Sequence, residues 1–177
     1  MPDIEIVPLH LSDAVELLDF ECENRAYFET WINRREESFY HLDAVRCSIE
    51  ESIANRKKDV AYGYLIKTDK RIVGRINLTA VSRAYYNKAL LGYRVGKGHV
   101  GQGFASKAVA LLLREAFGHL RLWRVEASVR ADNTGSIRVL TGNGFTTFGL
   151  VHQELFLNET WHDLIHLECR SPLGPTI

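Results

Sequence analysis

Leu90–Ala116 reads LLGYRVGKGHVGQGFASKAVALLLREA. An apolar strand pattern passes through a glycine-rich loop into an apolar helix pattern. Gly96, Gly98, Gly101 and Gly103 fall between the two periodic segments. Glycine tolerates positive φ and close approach of a ligand to the main chain, so such a loop can aim several N–H groups at one point. That point lies at a helix N-terminus, where unpaired N–H groups and the positive dipole end favour a phosphate or pyrophosphate. Gly96, Gly98 and Gly101 spell G-x-G-x-x-G, and Gly101, Gly103 and Ala105 form a second, overlapping pattern. A turn that merely needs flexible residues would read the same way, so the flanking chain has to decide.

Outward from the loop, Lys88–Val95 is expected to be a strand, Gly103–Phe117 a helix, and Trp123–Arg130 (WRVEASVR) a further strand. A strand, a helix of about four turns and a strand form a crossover whose two strands run parallel. Asp132 or Asn133 then caps a helix reaching Thr141. Phe145–Leu155 and Thr160–Glu168 form a hairpin turning at Leu157-Asn158-Glu159. On the N-terminal side, Val60–Lys67 and Arg71–Thr79 are β-rich runs joined by Thr68-Asp69-Lys70, the pattern of an antiparallel hairpin. Val45, Ile49 and Ile53 recur every four residues in a helix over Asp43–Asn55. Cys22–Phe39 mixes aromatics with charges and reads as a short helix or a loop, with Tyr27, Phe28, Trp31 and Ile32 turned inward. Ser12 is expected to cap a helix carrying Val15, Leu17, Leu18 and Phe20, and a first strand runs from Ile4 to near His10. The expected fold is mixed α/β (α+β): a central, mostly antiparallel twisted sheet with helices on both faces and one parallel strand pair. The glycine loop and the Asn133 helix both start at the C-terminal ends of those parallel strands, where open sheets bind ligands.

Composition narrows the class. A chain of 177 residues is expected to form a single domain over 1–177, without internal repeats or linkers. Lys plus Arg equals Asp plus Glu at 22 each, which offers no general pull toward nucleic acid or anionic membrane. Cys22, Cys47 and Cys169 lack metal or redox spacing and read as buried hydrophobes in a reduced compartment. The start of the chain is acidic where a signal peptide would be basic, and no apolar run approaches the roughly 18 residues of a membrane span, so a cytoplasmic location is expected. His162 and His166 share a strand face without a third ligand, so no metal is expected. Arg121 and Arg124 read as solvated charges. Arg34 and Arg35 read as wet surface, able to contact an acidic partner.

Val100-Gly101-Gln102-Gly103-Phe104-Ala105, followed by an apolar helix and then by ADNTGSIRVLTGNGF over Ala131–Phe145, resembles the GNAT acyltransferase superfamily. More narrowly it is similar to the branch of bacterial ribosomal-protein N-terminal acetyltransferases, whose N-x-x-S-x-x-x-x-x-x-x-G-F pattern is met by Asn133, Ser136, Gly144 and Phe145. Glu23-Asn24-Arg25, Phe28, Trp31 and the late Trp161-His162-Asp163 are similar to the alanine-specific members. Val100 stands where the superfamily usually has Gln or Arg, and Thr141 where it usually has Lys; neither change touches main-chain donors.

The resemblance implies acetyl-coenzyme A as cosubstrate, no metal, and an acceptor amine that includes a ribosomal-protein N-terminus. It implies no membrane or direct nucleic-acid partner, and a monomer or homodimer. The N–H groups from Gly101 through Gln102, Gly103, Phe104 and Ala105 to Ser106 would hold the pyrophosphate. Arg94, Val95 and Gly96 would pair with the pantetheine arm where the Lys88 and Trp123 strands splay, with an N–H near Val95 facing the thioester oxygen. Asn133 would bond the pantetheine amide and Ser136 would protonate the leaving thiolate, although plain helix capping explains the same two residues without a ligand. About a tenth of a peptide α-amine is neutral at pH 7, so a water-relayed base suffices. Glu23 is the first candidate for that base, with His99 and Tyr93 behind it.

Three alternatives stay open at this level. A small amine such as an amino acid, polyamine or antibiotic could replace the peptide, and a non-catalytic acyl-coenzyme A module would keep the fold. A dinucleotide-binding oxidoreductase needs an acidic residue about twenty positions beyond the glycines, where Arg121, Leu122 and Trp123 stand. A P-loop phosphotransferase is excluded, because no Gly-Lys-Ser/Thr follows the glycines.

Overall fold

The computed structural model describes residues 3–175, so the outer two positions at each end of the expected 1–177 domain lie outside the described residues. The elements run β1 (Glu5–Pro8), α1 (Ala14–Phe28), α2 (Leu42–Lys57), β2 (Tyr62–Thr68), β3 (Arg71–Ser82), β4 (Lys88–Val95), α3 (Phe104–Arg114), β5 (Arg124–Arg130), α4 (Thr134–Gly142), β6 (Thr146–Leu157) and β7 (Thr160–Arg170). The seven strands form one sheet in the order β1-β2-β3-β4-β5-β7-β6. Neighbours are antiparallel except β4 and β5, which are parallel as the crossover pattern predicts.

The pleat sorts the β2 side chains between two cores. Tyr62, Tyr64 and Ile66 join Ala108, Val109 and Leu112 of α3 in the larger core. Leu65, facing the other way, joins Leu17 and Phe20 of α1 and Val45 and Ile49 of α2 in the second. Helices therefore cover both faces. Gly74 leaves no room for a side chain against β4: a Cβ there would lie 2.6 Å from the Arg94 carbonyl oxygen.

Four local expectations are corrected. Ser12 does not cap α1; His10 caps a preceding 3-10 turn, its N–H donating to the Asp13 carboxylate at 2.9 Å, and α1 begins after that turn. Of the apolar residues grouped on that helix, Val15 does not share the buried face: it is exposed, while the helix turns Ala14, Leu17, Phe20, Glu21 and Phe28 inward. Cys22 and Cys47 are exposed, each on the solvent side of its helix, and only Cys169 is partly buried. The helix after the glycine loop leaves α geometry at Arg114 and widens into a π turn over Glu115–His119, where the Leu120 N–H donates to the Glu115 carbonyl at 3.0 Å. Among the described residues no helix is long and apolar enough to cross a membrane.

Candidate active site

The glycine loop is held from behind and open in front. The Gly96 N–H donates to the Val73 carbonyl at 2.9 Å, tying the loop to β3. The Asn24 side-chain oxygen accepts from the Lys97 N–H at 2.8 Å, so helix α1 braces it from the other side. Gln102 Nε2 donates to the Gly98 carbonyl at 2.7 Å and closes the turn. Gly101 and Gly103 take φ of +77° and +86°, values that L side chains adopt only under strain. Gly103 precedes α3 with no side-chain cap, and the first N–H to bond back is that of Lys107, to the Gly103 carbonyl. The N–H groups of Phe104, Ala105 and Ser106 are thus left for an anion.

Next to this loop the sheet opens. The β4–β5 ladder holds at Lys88↔Arg124, Ala89↔Val125 and Leu90↔Glu126 and then stops, although β4 continues to Val95 and β5 to Arg130. Because the Gly96 N–H and Arg94 carbonyl face β3, strand alternation turns the main-chain groups of Tyr93 and Val95 toward the opening.

Two concavities flank it. One, of about 570 Å³, is lined by Arg94, Val95, Gly101, Gly103, Phe104, Ala105, Ser106, Asn133 and Ser136, with His99 and Tyr27. The other, of about 620 Å³, lies on the α2 side and includes Arg35, Arg75, Asn77, Arg130 and Leu164. Trp31, Ile32, Tyr93, Arg94, Asn133 and Ser136 line both and form the junction. Of the residues expected to bind the carrier, Gly96 and Gln102 line neither concavity and brace the loop instead.

At the junction, Tyr93 Oη and Ser136 Oγ are 2.8 Å apart and hydrogen-bonded. Burial pushes the Tyr93 phenol above its ordinary pKa, so it keeps its proton at neutral pH. Asn133 caps α4: its Oδ1 accepts the Ser136 N–H at 3.0 Å, leaving its amide nitrogen for a ligand. Capping and a ligand contact therefore use different atoms of one side chain. His99 stacks edge-on against Phe104 with ring centroids 5.1 Å apart.

Glu23 is exposed and lines neither concavity. The buried carboxylate beneath the cleft arginines is that of Glu21, 2% exposed. Its Oε1 accepts from Arg75 Nη1 at 2.9 Å and from Arg94 Nη2, and its Oε2 lies 3.9 Å from Arg35 Nη1. Burial alone would raise the Glu21 pKa, but the charges of Arg94 and Arg75 outweigh it and hold the carboxyl below its ordinary value. Burial, with Arg94 alongside, pushes Arg35 down to about 10 and lowers Arg75 as well. Arg35, expected on a wet surface, is drawn in by its stack over the Phe39 ring at 3.9 Å, whereas Arg34 is exposed. Arg124, expected to be solvated, pairs with Glu126 and Glu168. Sequence reasoning missed Glu21 and Arg75, yet both carried a signal. Glu21 stands on the Leu17–Phe28 stripe of α1, and Arg75 interrupts the apolar run of β3.

Opposite the arginines, the β6–β7 hairpin closes the second concavity. Asn158 Nδ2 donates to the Glu29 carbonyl at 3.2 Å, and Arg130 donates to the Thr30 carbonyl at 3.0 Å beneath Trp31. His166 bonds Ser128 and Glu154. Among the described residues no group of three or more His, Cys, Asp or Glu could hold a metal ion.

Residues 3–146 match the model of the acetyltransferase (GNAT) domain family. The chain is 35% identical over 162 residues to the probable N-acetyltransferase YjcK of Bacillus subtilis, covering 90% of each. Its fold superposes with a TM-score of 0.92 on the ribosomal-protein-S5-alanine acetyltransferase of Vibrio fischeri, at 21% identity and covering 97% of this chain and 95% of that one. A TM-score of 0.90 relates it to Mycobacterium smegmatis RimJ in complex with CoA-disulfide, at 23% identity and covering 99% and 85%.

Proposed function

From the premise that the chain belongs to the GNAT acetyltransferase family, we propose that it moves the acetyl group of acetyl-coenzyme A to a primary amine, the N-terminal α-amine of a protein of the ribosomal-protein alanine type. The observation that carries this reading is the junction: one hydrogen-bonded Tyr93–Ser136 pair lines two concavities that meet where the β4–β5 ladder ends. A carrier entering from the glycine loop and an amine entering from the α2 side meet at that pair. The coenzyme A in one structural relative supports the carrier assignment, and the ribosomal-protein acceptor in another supports the acceptor class.

The pyrophosphate is held by the α3 N-terminus, and the pantetheine arm pairs with the open side of Val95 as an added strand would. The Val95 N–H meets the thioester oxygen and stabilises the charge that develops there. The neutral amine attacks the carbonyl carbon; the C–N bond forms, the C–S bond breaks, and the surplus amine proton passes to water. The departing thiolate takes its proton from Ser136, which is resupplied by Tyr93, and Tyr93 regains a proton from the water that took the one released by the amine. Glu21 is not the base, since it is buried beneath the cleft and Arg94 and Arg75 hold its carboxyl below the ordinary pKa, which makes it a poor proton acceptor.

The test is thermal unfolding with acetyl-coenzyme A, followed by thiol release with peptides beginning in alanine or serine. Carrier at a hundred times its Kd adds about 2.7 kcal/mol, a rise of about 5–10 °C for a chain of this size. No saturable binding would reject the reading. Turnover with small amines but no peptide would move the acceptor to the small-molecule class.

A further inference from the structure

The second concavity holds more positive charge than its own carboxylates offset. Arg35, Arg75 and Arg94 line it, and their side chains are only 28%, 22% and 18% exposed. Glu21 is the one buried carboxylate among them, with a single oxygen shared by Arg75 and Arg94. Arg35 reaches its other oxygen only at 3.9 Å, beyond hydrogen-bonding distance. Arg35 Nη1 and Arg94 Nε are buried without any hydrogen-bond partner among the described residues. Elsewhere on the lining, Glu51 is exposed at the α2 rim, Arg130 is matched by Asp132 at 2.5 Å, and Asn55 and Asn77 are neutral amides. A guanidinium removed from water without an acceptor is costly, and its planar fork fits an oxyanion.

We infer that this concavity is an oxyanion-binding subsite, in which Arg35, Arg75 and Arg94 hold a carboxylate or phosphate group carried by the acceptor whose amine is acetylated. The subsite stands on the arginine geometry alone; its role in choosing the acceptor rests on the transferase reading above. It selects amines that bear a nearby anion, such as a peptide N-terminus followed by an acidic or phosphorylated residue.

The experiment separates those two layers. Protein saturated with coenzyme A, so that the glycine loop is filled, is titrated calorimetrically with inorganic phosphate and, separately, with malonate. Saturable binding of at least one is expected, weakened about tenfold in Arg35→Gln and partly retained in Arg35→Lys, which keeps the charge but loses the fork. Phosphate alone or malonate alone identifies the preferred group. Binding of neither by the wild-type protein, or equal affinity in wild type and Arg35→Gln, overturns the subsite.

In the second arm, Ala-Asp, Ala-Asn and Ala-phosphoserine peptides are compared as acceptors. The charged peptides should show a KM about tenfold below the neutral one, and Arg35→Gln should erase most of that gap. Equal KM for all three in both proteins would overturn the acceptor role while leaving the transferase function intact. Anion binding lost in Arg35→Gln, with no peptide acetylated, would uphold the subsite and reject the transferase reading instead.

Discussion

Replacing Glu21 with Gln tests the electrostatic logic of the cleft most directly, because one neutral amide would then face three guanidiniums. Removing one partner of a buried ion pair costs about 3–5 kcal/mol, as the remaining charge is left without compensation. Glu21 itself is 2% exposed, but the arginine side chains reach 18–28% exposure, and water offsets part of the loss on their side. The expected loss is therefore about 3 kcal/mol, a fall of about 6–12 °C in Tm.

The loss should also depend on pH with a definite sign. Glu21 has its pKa held below the ordinary 4.5, so its contribution is fully present above pH 4.5 and disappears as pH falls through the lowered value. Urea unfolding of wild type and Glu21→Gln across that range should show a constant gap above pH 4.5 that closes below it. Adding Arg75→Gln to Glu21→Gln should restore part of the stability, since it removes one of the uncompensated charges. A loss below about 1 kcal/mol, or a gap that persists unchanged into strong acid, would refute the reasoning.

Other outcomes follow from the same geometry. Ser136→Ala and Tyr93→Phe should each lower kcat by about a hundredfold or more while leaving acetyl-coenzyme A affinity within about twofold, and the double variant should lose little more than either alone, because the proposed proton relay needs both hydrogen-bonded hydroxyls; equal losses in turnover and affinity would argue against the acid role. Asn133→Ala should cost about 1 kcal/mol of stability in the absence of any ligand, read by thermal unfolding, because the α4 cap is lost. Gly74→Ala should destabilise by about 1–3 kcal/mol in urea, since its Cβ meets the Arg94 carbonyl and would push β4 away from β3.

Much of the framework was legible because it depends on short-range patterns. The strand Lys88–Val95 has the boundaries its alternation suggests, and the parallel pairing with Arg124–Arg130 follows from the helix between them. The glycine spacing located a loop whose positive φ angles and uncapped helix start are properties of a few consecutive residues. The cap at Asn133 is likewise local, a side chain bonding the N–H three residues on.

What sequence could not decide is which charged residues meet. Glu23 and Glu21 are two positions apart on one helix, a rotation of about 200°, and only the packing of α1 against β3 turns Glu21 beneath the cleft and Glu23 to solvent. Arg35 sits beside Arg34 in an irregular segment, and the Phe39 ring draws one inward while the other stays in water. Arg75 and Arg94 come from facing registers of β3 and β4 and converge on Glu21 from 54 and 73 residues away. The sequence by itself determined the mixed sheet, the parallel pair and the anion-ready loop, because propensity and periodicity act over a few residues. The charge of the second concavity belongs to tertiary structure alone, because burial and Coulomb attraction depend on distances that no local spacing encodes.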